Sequence, residues 1–254
     1  MANVLTQQDL VQAFRAIGVR EGMALEVHSS LSSFGRVEGG AETVIAALME
    51  SVGGSGSIFM PALRLSPELA LTDEDRALGI TTKIRVLPEE RGRTAMGAIA
   101  DAFRKRADTV TGGGIMQIAG WGAHAEEAAA GGLDYVLKNG GMALMLGVDI
   151  YKLTAMHYVE YLLPEGVTRI FGPNERAARR YPEGEWFVET GRPPLKAWYT
   201  IQQTADERGL IRRGRAGSCE MMFFEVGAVV GLYKDELTRD PYALYGVKRP
   251  TVQE

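Results

Sequence analysis

Apolar and polar positions along the chain follow two different periods, and the changes between them mark out the elements. Leu10, Val11, Phe14 and Ile17 recur at helical spacing behind Thr6-Gln7-Gln8-Asp9, the pattern of a capping box, and Gly18 stands where that helix should stop. Residues 23–27 form a short apolar run of strand length, and the polar His28-Ser29-Ser30-Leu31-Ser32-Ser33-Phe34-Gly35 predicts a turn-forming loop directly after it. Gly39-Gly40 opens a helix over 41–50, Gly53-Gly54-Ser55-Gly56 is a turn, and 57–60 is a strand closed by Pro61. Helix, strand, loop, helix, strand is the alternation of an α/β layered sheet.

The pattern then lapses. Residues 64–94 show little periodicity and many charges, which predicts a functional lid or a mobile insertion. Helical spacing returns over 95–106, and Gly112-Gly113-Gly114 precedes a short strand over 115–119. Trp121-Gly122-Ala123-His124 leads into a small helix. Residues 142–148 (MALMLGV) are the most apolar strand and so the one expected inside the sheet, feeding a helix over 151–162 that Pro164 ends. Residues 165–196, rich in Gly, Pro and Arg, are expected to be loops or edge strands. Two last helices are expected over 197–208 and 225–237, with a basic turn between them. With no repeat and no linker, the expected architecture is a single α/β domain over 1–254, a central mixed sheet flanked by helices, with insertions near 64–94 and 165–196.

Composition narrows the class. At 254 residues and 46% hydrophobic, the chain can bury a full core without disulfides or metals. Lys plus Arg number 28 against 32 Asp plus Glu, a net charge of −4, so no nucleic-acid footprint is present. One cysteine, Cys219, excludes an internal disulfide framework and any multi-cysteine metal site. The start MANVLTQQDL lacks a basic segment followed by an apolar core, and no run of eighteen apolar residues occurs, so a cytoplasmic protein without membrane contact is expected.

Three histidines carry most of the candidate chemistry. Thr154, His157 and Glu160 follow one another at i, i+3 and i+6, so a carboxylate one turn away can hold one ring nitrogen and leave the other as a general base. The same spacing also suits an ordinary His–Glu pair on a surface helix. The serine-rich loop after the first strand offers backbone N–H groups for an anion, or is simply a turn, and His28 beside it is structural or functional with equal ease. His124 starts a small helix, and Cys219 has the setting of a buried small residue. The spacing of the histidines matches no metal signature. The arginines at Arg176, Arg179 and Arg180 and at Arg208, Arg212, Arg213 and Arg215 suit either a phosphate-bearing ligand or a solvated face.

Several of these segments together resemble one family. Val27-His28-Ser29-Ser30-Leu31-Ser32-Ser33-Phe34-Gly35, Gly39-Gly40, GGSGSIFMP over 53–61, Met96-Gly97-Ala98-Ile99-Ala100, Trp121-Gly122-Ala123-His124-Ala125-Glu126, and Leu144 to Val148 followed by Thr154 to Tyr161 are similar to the aminoglycoside 3-N-acetyltransferases, over roughly residues 5–165. The resemblance implies an α/β fold distinct from the GNAT fold, with acetyl-CoA as donor and an amine of the drug as acceptor. It implies that His28, Ser29, Ser30, Leu31, Ser32, Ser33 and Phe34 form the wall against CoA. It further implies that His157 is the base for direct transfer, that Glu160 orients it, and that Thr154 sits near the thioester carbonyl.

The sequence departs from the family where an Asp and a small polar residue normally precede the histidine, carrying Tyr151 and Leu153 instead. It also carries Gly113, Gly114 and Gln117 where a His-Pro pair and a Ser are usual, and its segment between His124 and Met142 is short. These departures bear on the acceptor. For a polycationic acceptor the insertion offers Glu68, Asp73, Glu74, Asp75, Glu89 and Glu90, which equally suit a solvated face. Two alternatives stand beside the enzyme reading: a catalytically silent relative that binds CoA or aminoglycoside, and an acyltransferase for a non-antibiotic amine. Expected partners are CoA and a small-molecule amine, with no metal, no nucleic acid and no membrane, and a homodimer left open.

Overall fold

The computed structural model describes residues 4–88, 94–191 and 195–249. Nine strands follow in chain order: β1 (Ala24–Ser29), β2 (Ser57–Pro61), β3 (Thr82–Arg85), β4 (Val110–Thr111), β5 (Ile118–Gly122), β6 (Met142–Leu146), β7 (Trp186–Glu189), β8 (Arg212–Ala216) and β9 (Cys219–Glu225). Seven of them build one mixed sheet in the order β4-β5-β2-β1-β6-β9-β8, and β3 pairs with β7 in a separate ribbon. β1 is parallel to both β2 and β6, and all other pairs are antiparallel.

Strand alternation divides the core into two layers. Leu25 and Val27 of β1, with Leu144 and Leu146 of β6, face the helices Gln7–Ile17, Ala41–Val52 and Gly97–Phe103. Ala143 and Met145 of β6, with Met222 and Phe224 of β9, face the other side, where the helices Leu195–Glu207 and Val226–Arg239 pack. The first helix is capped as the sequence implies: the Thr6 hydroxyl accepts from the Asp9 amide, the Asp9 carboxylate accepts from the Thr6 amide, and Gly18 ends the helix at φ 128°.

The structure departs from the sequence reading in several places, one of them the short helices Glu165–Thr168 and Glu175–Arg180 in a segment expected to be loops or edge strands. His28 and Ser29 still belong to β1, and the serine loop is a 3₁₀ turn over Leu31–Phe34. The expected strand over 115–119 lies at 118–122. The expected basic turn between the last two long helices is a hairpin, β8–β9, because Met221 to Phe224 are buried on both faces and leave no alternation to read. Finally, the helix expected over 151–162 is 3₁₀ throughout, in two pieces, Ile150–Lys152 and Thr154–Leu162, broken at Leu153, whose backbone is extended.

The segments around 64–94 and 165–196 meet each other: β3 from one is antiparallel to β7 from the other. Under that ribbon Asp75 is fully buried, bonded to Lys83 and to the Tyr181 hydroxyl. Burial alone would raise the Asp75 pKa, but the bonds from Lys83, Tyr181 and Thr72 outweigh it and hold the carboxyl below its ordinary range. No helix among the described residues is long and apolar enough to cross a membrane.

Candidate active site

Parallel strands β1 and β6 lie side by side and run Ser29 against Leu146, so their carboxyl ends open at one place. The chain leaves β1 for β2 on one side, while β6 sits on the other, which makes the gap between them a switch point of the kind where α/β sheets bind ligands. From β1 emerges the serine turn, and from β6 emerges Gly147 followed by both 3₁₀ pieces.

The serine turn is tied down on several sides. The Ser30 amide donates to Leu146 O at 2.8 Å, Ser33 Oγ donates to Ser30 O at 2.7 Å, and Ser218 Oγ donates to Ser33 O at 2.7 Å. Ser32 is exposed, while Ser29, Ser30, Leu31 and Ser33 are half-buried. Phe34 points into the core, and His28 is buried against Glu26, its Nε2 2.7 Å from Glu26 Oε1. Of the seven residues that the resemblance assigns to the CoA wall, five therefore reach a surface. Beside the turn lies a groove of about 400 Å³ lined by Ser33, Gly147, Asp149, Gln202, Arg213 and Ser218, among others. A somewhat larger open groove, about 460 Å³, lies between helices 41–52 and 97–103, its Arg106 and Lys105 ion-paired with Glu42, Asp108 and Asp101, as Arg213 of the first groove is with Asp206.

Thr154, His157 and Glu160 lie along the second 3₁₀ piece. Three residues per turn makes positions i, i+3 and i+6 eclipse, so the triplet stands in one line with neighbours roughly 6 Å apart along the axis. An α-helix would have fanned the same spacing across a third of its circumference. His157 Nδ1 lies 2.6 Å from Glu160 Oε2, and its ring is exposed on one side and 4.9 Å from the Trp198 ring on the other. Glu160 is held from behind: the Tyr233 hydroxyl donates to Oε1 at 3.4 Å, and Tyr233 in turn bonds the Tyr245 hydroxyl. Burial, then the neighbouring Tyr245 and Glu160, drive the Tyr233 phenol upward, and burial pushes Tyr245 up to about 12, so both stay neutral hydrogen-bonding groups.

Two of the departures from the family pattern, Tyr151 and Leu153, lie nearby. Leu153 is fully buried in the core, and Tyr151 is half-buried with its ring 6.0 Å from Trp198. Burial and the negative charges of Glu189, Glu68 and Asp149 raise the Tyr151 phenol. Burial, with Glu68 near it, likewise raises Glu189 against the hydrogen bond from Thr82. Asp149 caps the first 3₁₀ piece through the Tyr151 amide and accepts from the Tyr199 hydroxyl at 2.8 Å, a bond that pushes Tyr199 up to about 12. Gly113 and Gly114 have open space where a side chain would stand, and Gln117 O accepts from the Ala62 amide.

The remaining candidates fall elsewhere. Of the acidic residues of the insertion, Asp73 pairs with Arg76, Glu74 with Arg180, and Asp75 is structural; Glu68 is exposed, and Glu89 and Glu90 lie outside the described residues. His124 stacks on Tyr135 at 4.1 Å and bonds Glu127. Cys219 is buried, and that burial pushes its thiol up to about 11. Sequence reasoning missed Glu26, Trp198, Gln202, Tyr233 and Tyr245. Only Glu26 carried a signal, as a charge within the apolar run ALEV.

The aminoglycoside 3-N-acetyltransferase family model matches residues 27–238. An aminoglycoside N(3)-acetyltransferase III from Salmonella is 31% identical over 178 residues, covering 61% of this chain and 60% of the relative, so the match spans less than two thirds of that protein. The acetyltransferase-like protein YokD of Bacillus subtilis is 29% identical over 264 residues, covering 89% of each. Among solved structures, AAC-IIIb in a binary complex with CoASH superposes with a TM-score of 0.69 at 20% identity, covering 98% of this chain and all of that one, which bears out the expected fold. By the extent of the family match, on a sheet whose switch point carries the serine turn and the His157–Glu160 pair, this chain belongs to the aminoglycoside 3-N-acetyltransferase family.

Proposed function

We propose that the protein transfers an acetyl group from acetyl-CoA to an amine of an aminoglycoside, directly and with His157 as general base. The observation that carries the reading is the 2.6 Å contact between His157 Nδ1 and Glu160 on a face open to solvent. A carboxylate on Nδ1 takes the ring N–H there and leaves the Nε2 lone pair for the substrate. The relatives' names supply the acceptor class, and the neighbouring CoASH complex supplies the donor.

The groove beside the serine turn suits the donor's arm: it is lined by Ser33, Ser218 and Gln202, with Arg213 beside them, and includes Gly147 and Asp149 at the head of the 3₁₀ segment. Acetyl-CoA supplies a thioester whose acyl carbon accepts the amine. As the C–N bond forms, His157 Nε2 removes the amine proton, and Glu160 stabilises the resulting imidazolium. Thr154, one turn before His157, stands toward the developing oxyanion. When the C–S bond breaks, the imidazolium returns the proton to the departing thiolate. No covalent enzyme intermediate enters this route, in keeping with a Cys219 that is buried and protonated. The carboxylates around Tyr151 give a polycation its binding field.

The test is thiol release from acetyl-CoA with a panel of 2-deoxystreptamine drugs, using the parent and His157→Ala. Turnover that depends on drug and falls about 10²–10⁴-fold in the variant supports the reading. Calorimetric CoA binding without turnover on any drug would favour the silent relative, a reading that Tyr151 and Leu153 at the family's polar positions motivate. Turnover confined to other amines would favour the non-antibiotic acyltransferase.

A further inference from the structure

We propose that Glu26 is a positioning residue that, held in place by His28, caps the 3₁₀ helix carrying Thr154 and His157 from the neighbouring strand. The inference deepens the reading of His157 as base and rests on it.

Strand alternation sends Leu25 and Val27 to one layer and Glu26 and His28 to the other, where Ala155, Met156 and Val159 pack. Glu26 is therefore a fully buried carboxylate on an interior strand. The other buried carboxylates among the described residues, Asp75 and Asp101, are each met by a lysine or an arginine. Glu26 is met instead by an imidazole and a main-chain amide: Oε1 lies 2.7 Å from His28 Nε2 and 3.1 Å from the Ala155 amide, and Oε2 has no partner among the described residues. A carboxylate so placed is a poor choice for packing, since an apolar side chain would leave no oxygen unpaired.

Its use shows in what it touches. The first amides of any helix lack partners within the helix. Here the N-cap position, Leu153, provides no side-chain acceptor. The vacant role is filled from β1: the Ala155 amide donates to Glu26, and the Thr154 amide lies 3.3 Å from His28 Nε2. One ring nitrogen cannot serve both neighbours, and the shorter contact, to the carboxylate, takes the His28 N–H. An acceptor oxygen thus stands at the start of the short helix, where an amide needs one. The capped residue, Ala155, stands directly after Thr154 and two before His157, so a slack start would turn the proposed base and the proposed oxyanion donor together. His28 on this account serves the helix rather than the ligand wall.

The experiment compares Glu26→Leu and His28→Leu, which delete the acceptor and the ring, with Glu26→Gln and His28→Gln, which retain an amide in each place. Kinetic constants are read beside the imidazole ¹⁵N–¹H spectrum, which three histidines make assignable. We expect either leucine to lower kcat about 10- to 100-fold with the KM for acetyl-CoA within about twofold, and to displace the His157 Nδ1–H resonance. Either glutamine should recover kcat to within about fivefold. Should Glu26→Leu not fold, the His28 pair decides. Leucine proteins with kcat within twofold of the parent, or with an unmoved His157 resonance, would overturn the proposal, as would glutamines no better than the leucines. A His157→Ala protein of full activity would instead remove the base reading and leave the spectrum to judge the cap.

Discussion

The Tyr233 hydroxyl lies 3.4 Å from Oε1 of Glu160, the carboxylate oxygen that His157 does not use. The imidazole is thus the outer end of a chain of polar contacts that runs back through Glu160 and Tyr233 to Tyr245 on the short helix Pro241–Tyr245. Residues from three separate parts of the sequence thus meet behind one ring. If His157 is the base, removing the middle of this chain should weaken it without abolishing it. Tyr233→Phe keeps the ring and its packing but loses the bond, a change of about 1 kcal/mol, so kcat should fall roughly fivefold. Steady-state thiol release measures it, and an unchanged kcat would count against the relay.

Glu160→Gln acts one step closer. An amide can still contact Nδ1, but it no longer stabilises the imidazolium, so kcat should drop further than in Tyr233→Phe and less than in His157→Ala. The order of the three rates is the expected result, and any inversion breaks the scheme.

Gly147 ends β6 at φ +67°, and a Cβ there would overlap the Ser33 side chain. Gly147→Ala should therefore push the serine turn outward from the groove. The expected effect is a KM for acetyl-CoA raised about tenfold or more with a smaller change in the acceptor KM. An effect confined to the acceptor would move the donor out of this groove.

Glu189 lies on the side of Tyr151 where burial and Glu68 raise its pKa. If these carboxylates draw in a polycation, Glu189→Gln should raise the aminoglycoside KM several-fold, and added salt should raise the parent's acceptor KM too. The donor KM should not follow either change.

The buried pair of Asp75 and Lys83 makes a prediction about stability. Lys83→Met leaves a carboxylate in the ribbon's core without its cation and should cost about 3 kcal/mol, or roughly 10 °C in Tm. The sign with pH follows from the depressed Asp75 pKa. Its contribution is complete above the unfolded value of 3.8 and is lost as pH falls through the lower folded value. Between pH 5 and pH 2.5 the Tm should accordingly fall less for Asp75→Asn than for the parent.

The sequence made some of this plain and hid the rest for physical reasons. The first helix was legible because its capping box and apolar stripe are local. The His157–Glu160 spacing was legible too, although its 3₁₀ geometry was not, since Asp149, Leu153 and the packing of Met156 and Val159 decide it. β9 went unseen because Met221 to Phe224 are buried on both faces. Trp198, Tyr233 and Tyr245 could not be linked to His157 because only the folded sheet brings the C-terminal helices beside it. Glu26 was visible as a charge in an apolar strand, but its partners are a side chain two residues on and an amide far along the chain.

The ribbon of β3 and β7 joins a segment from the first half of the chain to one from the second, and each is the other's only strand partner among the described residues. Glu189 belongs to one of these strands and Glu68 to the approach to the other. The rim proposed for the acceptor is therefore built from two pieces at once. A genetic crossover between residues 85 and 186 would join a strand from one parent to a partner evolved in another, and only an exchange of both pieces, or a repair of the seam, would keep the ribbon matched.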